Sequence, residues 1–239
     1  MKKILLTVLA VAVFSFSAYA EDLRIAAGAG YKNLVEDLAA IYEAKTGKKA
    51  ERMYGNMGQV AAQVKLGGGI CLVIGEEAFL KASGVAYSSY TPIGKGVLTL
   101  VTRKGLTAKT PEDIRKPEFA KIALPDTEKA IYGKAGLQFL KSTGLYADVE
   151  KRIIPAATVP QSGAYALSGE VDAAFVNTTF AGANKDNLGS VIDIEKGYSP
   201  LEINAATLPD CRLTDEVKSF LDAISSPDGK KTAKKHGLI

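Results

Sequence analysis

The chain has 239 residues and a formal net charge of +4, too weak a charge for a nucleic-acid surface, and no arginine or lysine cluster with interleaved aromatics supplies one. His236, the single histidine, sits in a lysine-rich end segment, which argues against a histidine-based zinc site or a Ser-His-Asp triad. The length suits one large domain or two lobes of about 100 residues each.

Taken in order, the chain opens on an export signal. Lys2 and Lys3 form a basic start, Ile4–Val13 an apolar stretch, and Ala18-Tyr19-Ala20 an A-x-A cleavage site. The apolar run is too short and wrongly flanked to span a membrane, and no cysteine follows the cleavage site to carry a lipid. The expectation is a signal peptide over residues 1–20 and a soluble exported protein from Glu21. Removing Lys2 and Lys3 takes the charge from +4 to +2.

Leu23–Ala27 is a short apolar run that predicts a strand, and Gly28-Ala29-Gly30 a tight turn. Leu34, Val35, Leu38, Ile41 and Tyr42 then recur at helical spacing until Gly47. Such a turn presents free N–H groups at the positive end of a helix dipole, a place that suits an anion. Lys49–Tyr54, Gly55-Asn56-Met57-Gly58 and the helical pattern of Val60, Ala61 and Val64 repeat the unit, and Gly67-Gly68-Gly69 ends it. Ile70–Ile74 predicts a third strand, and Ala78–Ser83 a helix.

Gly94–Arg103 is long, β-rich and bounded by glycine, and is read as a connector between lobes. Thr110-Pro111-Glu112-Asp113 has the form of a helix start. Lys121–Leu124 predicts a strand, Ile131–Ser142 a helix and Ile153–Ala157 a strand. Thr158-Val159-Pro160 leads into a short helix, and Val171–Val176 is a strand ending at Asn177-Thr178-Thr179. Val191–Ile194 and Glu202–Leu208 predict further strands. A helix from Thr214 carries Val217, Phe220, Leu221 and Ile224, and Pro227 begins the last segment. The alternation predicts an α/β fold with mainly parallel sheets.

The residues offer little catalytic chemistry. There is no Walker A run, and Asn33 stands where a dinucleotide loop needs its third glycine. Glu36-Asp37 and Glu76-Glu77 fall on predicted helices, as solvated faces or dipole partners. An enzyme is not expected, nor a cofactor or a metal. Met53 and Met57, with Cys71, permit a Cu(I) reading, but two thioethers fit better as filling of core or cleft. Cys71 and Cys211 form either a disulfide, which export permits, or two isolated buried thiols.

Several segments, in order, resemble the periplasmic molybdate-binding proteins of ABC importers. I-A-A-G-A-G-Y-K-N-L at 25–34 is similar to that family's A-A-A-S-L-T opening. Y-G-N-M-G-Q-V-A-A-Q-V at 54–64 is similar to its G-S-S-G-type turn and helix, and Gly67–Gly75 to its G-A-P-A-D-V-F-L-S segment. Ala130–Ala135 resembles its G-x-Y-A-x-x-A helix start, Val159–Ala181 its helix-then-strand unit, and the S-S-P-D-G-K-K-T-A-K-K-H-G-L ending that of solute-binding proteins.

The resemblance implies a two-lobed type II periplasmic binding fold with two crossover strands. Lobe 1 would comprise 21–96 plus 198–239 and lobe 2 would comprise 97–197. A small anionic ligand would sit between them in the periplasm, the partner would be an ABC permease in the inner membrane, and the protein would be a monomer. The implied ligand-binding residues are Gly28, Ala29, Gly30, Asn56, Met57, Gly58, Ala130, Tyr132, Val159 and Asn177, with Tyr31, Lys129 and Gln161 as neighbours. The family binds its oxyanion through two serine hydroxyls, a tyrosine hydroxyl and backbone N–H groups. The hydroxyl positions here are Ala29, Met57 and Asn177, and the family's third-strand aspartate is Cys71. Backbone donors at Ala29, Met57, Ala130 and Val159 persist, so a molybdate- or tungstate-like oxyanion or a related small anion is expected. The alternative is a surface adhesin or interaction module that reuses the fold.

Overall fold

The computed structural model of the protein describes residues 22–239, and the segment expected to be a signal peptide, 1–20, lies outside the described residues. Strand β1 (Leu23–Gly28) is buried along its length apart from Arg24, which pairs with Glu51 at the surface. A single 3-10 turn, Ala29–Tyr31, leads into α1 (Lys32–Thr46), whose Leu34, Val35, Leu38, Ala39 and Tyr42 form one buried face. β2 (Ala50–Gly55), α2 (Met57–Lys65) and β3 (Ile70–Glu76) follow, and both strands run parallel to β1. A helix between parallel strands is the connection that geometry requires. α3 (Glu77–Ala82) and β4 (Ser89–Gly96) complete this part of the chain.

Val97 alone separates β4 from β5 (Leu98–Arg103), yet β4 pairs in one sheet and β5 in another. The stretch read as one connector, Gly94–Arg103, is the end of one strand and the whole of the next. Then come β6 (Ile122–Pro125), α4 (Ile131–Ser142), the short α5 (Tyr146–Val149), β7 (Ile153–Ala156), α6 (Val159–Ser168), β8 (Ala173–Asn177), α7 (Thr178–Asn184) and β9 (Leu188–Ile194). The chain returns through 195–200 to β10 (Leu201–Thr207), and α8 (Thr214–Ser225) and α9 (Pro227–Lys235) pack on α1. Tyr42 of α1 and Phe220 of α8 lie ring to ring at 5.7 Å.

The two five-stranded sheets run β2-β1-β3-β10-β4 and β7-β6-β8-β5-β9. This is an α/β fold of two lobes joined by two crossing segments, as the resemblance implies. The sheets are mixed, however, where the alternation predicted mainly parallel ones. β10 lies between β3 and β4 and is antiparallel to both, and β5 lies between β8 and β9 in the same way. Each is the first strand after a crossing and enters its sheet against the local direction, which local sequence does not encode.

Two local readings also change. Thr110–Asp113 starts only a 3-10 turn, Pro111–Arg115. Pro117 holds Lys116 extended, at φ −62° and ψ 148°, and stops the turn from growing into a helix. Asn177-Thr178-Thr179 does not merely end a strand, because Asn177 caps α7 by accepting a hydrogen bond from Phe180 N–H. Cys71 and Cys211 form a disulfide with Cα atoms 5.0 Å apart, tying the start of β3 to the β10–α8 connection.

Candidate functional site

Three helices begin at one place. Met57, Ile131 and Val159, the first residues of α2, α4 and α6, line a single cleft with Gly28, Ala29, Gly30, Tyr31, Gly55, Asn56, Ala130, Tyr132 and Thr158. α2 belongs to the first sheet's lobe, and α4 and α6 to the second's. The first-turn N–H groups of a helix have no partner within it, and the dipole makes that end positive. The cleft therefore concentrates backbone donors on a point between the lobes.

Capping explains why the helices start here. Asn56 Oδ1 accepts from Gln59 N–H at 2.9 Å, and Gln59 Oε1 accepts from Asn56 N–H at 2.9 Å, a reciprocal capping box. Thr158 Oγ1 accepts from Gln161 N–H at 3.2 Å, and Pro160 follows in the first turn, where its missing N–H is not needed. Ala130 precedes α4 with no side-chain cap.

The walls come close together. The space they leave is about 20 Å³, room for about one water molecule. Across it Asn177 Nδ2 donates to Gly30 O at 2.9 Å, Asn56 Nδ2 to Ala157 O at 3.2 Å and Gly58 N–H to Lys129 O at 3.3 Å. The Tyr31 and Tyr132 hydroxyls share a hydrogen bond of 2.6 Å. Burial pushes both phenols well above the ordinary tyrosine range, so both hydroxyls are neutral. None of the residues lining the cleft carries a formal charge. The carboxylate of Glu76 accepts the N–H groups of Ala78 and Phe79 as the cap of α3.

Eight of the ten expected residues line the cleft: Gly28, Ala29, Gly30, Asn56, Met57, Ala130, Tyr132 and Val159. Gly58 and Asn177 stand at its edge and bond across it. Gly55, Ile131 and Thr158 are additional lining residues. Thr158-Val159-Pro160 was legible as the lead into a short helix and Ile131 as the first residue of one. Of the neighbours, Tyr31 lines the cleft, and Lys129 packs its side chain over Gly58.

The Met57 side chain turns into the first lobe. An ideal Cβ on Gly28 would lie 3.3 Å from its Sδ, and one on Gly75 would lie 2.5 Å from its Cε. The two glycines thus make the slot that holds the thioether. With Cys71 in a disulfide and Met53 on β2, the Cu(I) reading loses its thiol. A larger hollow of about 510 Å³ lies beside that disulfide, lined by Gly67–Cys71 and Leu208–Leu213 at the opposite ends of the strands, away from the three helix starts.

Residues 23–239 match the family described as bacterial extracellular solute-binding protein. A protein of Haemophilus influenzae, named only as a binding protein, is 28% identical over 246 residues, covering 100% of this chain and 99% of that one. The molybdate-binding protein ModA of Azotobacter vinelandii is 21% identical over 243 residues, covering 98% and 96%. The solved periplasmic molybdate-binding protein of that organism superimposes with a TM-score of 0.83 at 22% identity, covering 91% of this chain and 99% of that one. PEB3 of Campylobacter jejuni, solved with L-phospholactate bound, superimposes with a TM-score of 0.69 at 20% identity, covering 90% and 98%.

Proposed function

The chain belongs to the family of bacterial extracellular solute-binding proteins, and from that premise we propose that it is the periplasmic receptor of an ABC importer, closing on a small anion between its lobes. As a member of this family it is a binding protein and not an enzyme. One observation carries the ligand class: α2, α4 and α6 all start at the same cleft. Their dipoles, and the first-turn N–H groups that neither a cap nor Lys129 O takes, favour an anion without a counter-charge. In this proposal 1–20 is a cleaved signal peptide, 21–96 plus 198–239 moves as one lobe and 97–197 as the other, and a monomer delivers its ligand to a permease in the inner membrane.

The side chains narrow the ligand. Ala29 and Met57 bring no hydroxyl, and Asn177 commits its amide to Gly30 O and Phe180 N–H. Each ligand oxygen left unpaired in a buried site costs about 1–3 kcal/mol. A bare tetrahedral oxyanion suffers this wherever an oxygen faces Ala29, Ile131 or Val159, whereas an anion with a short apolar group sets that group there. A small carboxylate or phosphate ester therefore suits these walls better than molybdate. The relatives' names span both types, molybdate for the Azotobacter protein and L-phospholactate for PEB3.

Titration calorimetry with molybdate, tungstate, sulfate, phosphate, lactate and L-phospholactate tests this. Saturable one-to-one heat is expected, tighter for an organic anion than for molybdate. No heat and no thermal shift with any of them overturns the proposal. That outcome favours a second reading, an adhesin or interaction module, which the direct bonding of the protein's own groups across the cleft supports.

A further inference from the structure

A receptor that closes on its ligand must hold two lobes apart or together, and the following inference rests on the binding function proposed above. Among the described bonds across the cleft, three use a backbone atom. The Tyr31–Tyr132 bond is different. Both partners are side-chain hydroxyls, one from each lobe, and both residues are 1% exposed. Their rings pack at a centroid distance of 6.0 Å.

The pair sits against the first crossing. An ideal Cβ on Gly96, the last residue of β4, would lie 2.3 Å from the Tyr132 hydroxyl oxygen and 3.0 Å from that of Tyr31. Any side chain at position 96 would displace the pair, so glycine there leaves room for it where the chain passes from one sheet to the other.

We propose that the Tyr31–Tyr132 hydroxyl pair, seated against Gly96, is a latch that holds the lobes closed with the protein's own groups, so that ligand entry requires the latch to break. Closure then has a favourable contribution independent of ligand. The fraction of molecules open to ligand falls, and apparent affinity falls by the same fraction.

The test uses the full chain without ligand. Tyr132→Phe keeps the ring but takes from the buried Tyr31 hydroxyl the partner it has in the closed form, while water pairs it in the open form. Small-angle X-ray scattering should show a larger radius of gyration than wild type. Amide exchange at Gly58, whose N–H crosses the cleft to Lys129 O, should speed about tenfold. Tyr31→Phe should act in the same direction but more weakly, since Asn177 stays a hydrogen-bond partner of the Tyr132 hydroxyl. The double variant leaves no buried hydroxyl unpaired but has no latch, and should lie between wild type and Tyr132→Phe. Gly96→Ala reaches the same end with both hydroxyls kept, by wedging the pair apart, and serves if a tyrosine variant fails to fold. A purely structural role for the two hydroxyls would give additive losses of thermal stability at constant size.

One radius of gyration and one Gly58 exchange rate across wild type and folded variants overturn the latch. Calorimetry reports separately on ligand binding, so the latch can fail while anion binding stands, and the reverse.

Discussion

Met57 shows how a single substitution reaches beyond its own position. Its side chain is 2% exposed and fills a slot left by Gly28 and Gly75. Met57→Ala should cost about 2–5 kcal/mol, the range for emptying a buried site of this size. Gly75→Ala should cost about 1–3 kcal/mol, because the new methyl meets the thioether end and forces it off its rotamer. The double variant should be more stable than the sum of the two losses, as the alanine methyl occupies part of the emptied slot. Urea unfolding of the four proteins checks this, and strictly additive losses would show that the two residues do not share one space. For function, the residue at 57 is coupled to 75, so restoring a hydroxyl with Met57→Ser also opens a cavity beneath it.

At the scale of elements, the caps decide where helices start and so where donors point. Asn56 and Thr158 set the starts of α2 and α6 at the cleft. The 3-10 turn Pro111–Arg115 shows the same logic away from it. Lys116 beside Asp113, and the N–H groups of Lys109 and Thr110, hold that carboxyl down at about 2, against an ordinary value of 3.8. The folded pKa is depressed, so the contribution to stability is present above about pH 4 and is lost as pH falls from 3.8 towards 2. Carboxyl-detected NMR should give a midpoint near 2 for Asp113, and Lys116→Met should move it up towards 3.8. An unchanged midpoint in that variant would assign the shift to the two backbone donors alone.

For the whole molecule, the disulfide joins residues 140 apart, both in the first sheet's lobe, and the loop between them contains the whole second sheet. In the chain-entropy model, closing a loop of this length restricts the unfolded chain by up to about 5 kcal/mol. The double variant Cys71→Ala/Cys211→Ala, or wild type in dithiothreitol, should lose stability of that order in guanidinium unfolding, with far-UV circular dichroism of the native state retained. A loss below about 1 kcal/mol would mean that the reduced unfolded chain is already as restricted as the bridged one.

The sequence by itself determined the α/β alternation, the strand–turn–helix units at Gly28–Gly30 and Gly55–Gly58, the boundaries of α4 and most of the residues that meet at the cleft. The cleft residues came from the family resemblance, and the other features rest on periodicity and capping, which act over a few neighbouring residues. Tertiary structure alone decided that β5 and β10 insert antiparallel, that Cys71 meets Cys211, that Met57 turns into a slot between two glycines, and that the lobes bond to each other directly. The partners in these contacts stand 101 residues apart for Tyr31 and Tyr132, 147 for Gly30 and Asn177, and 140 for the cysteines. No local propensity spans such separations. They follow from the two crossings, which bring the ends of distant strands to one point.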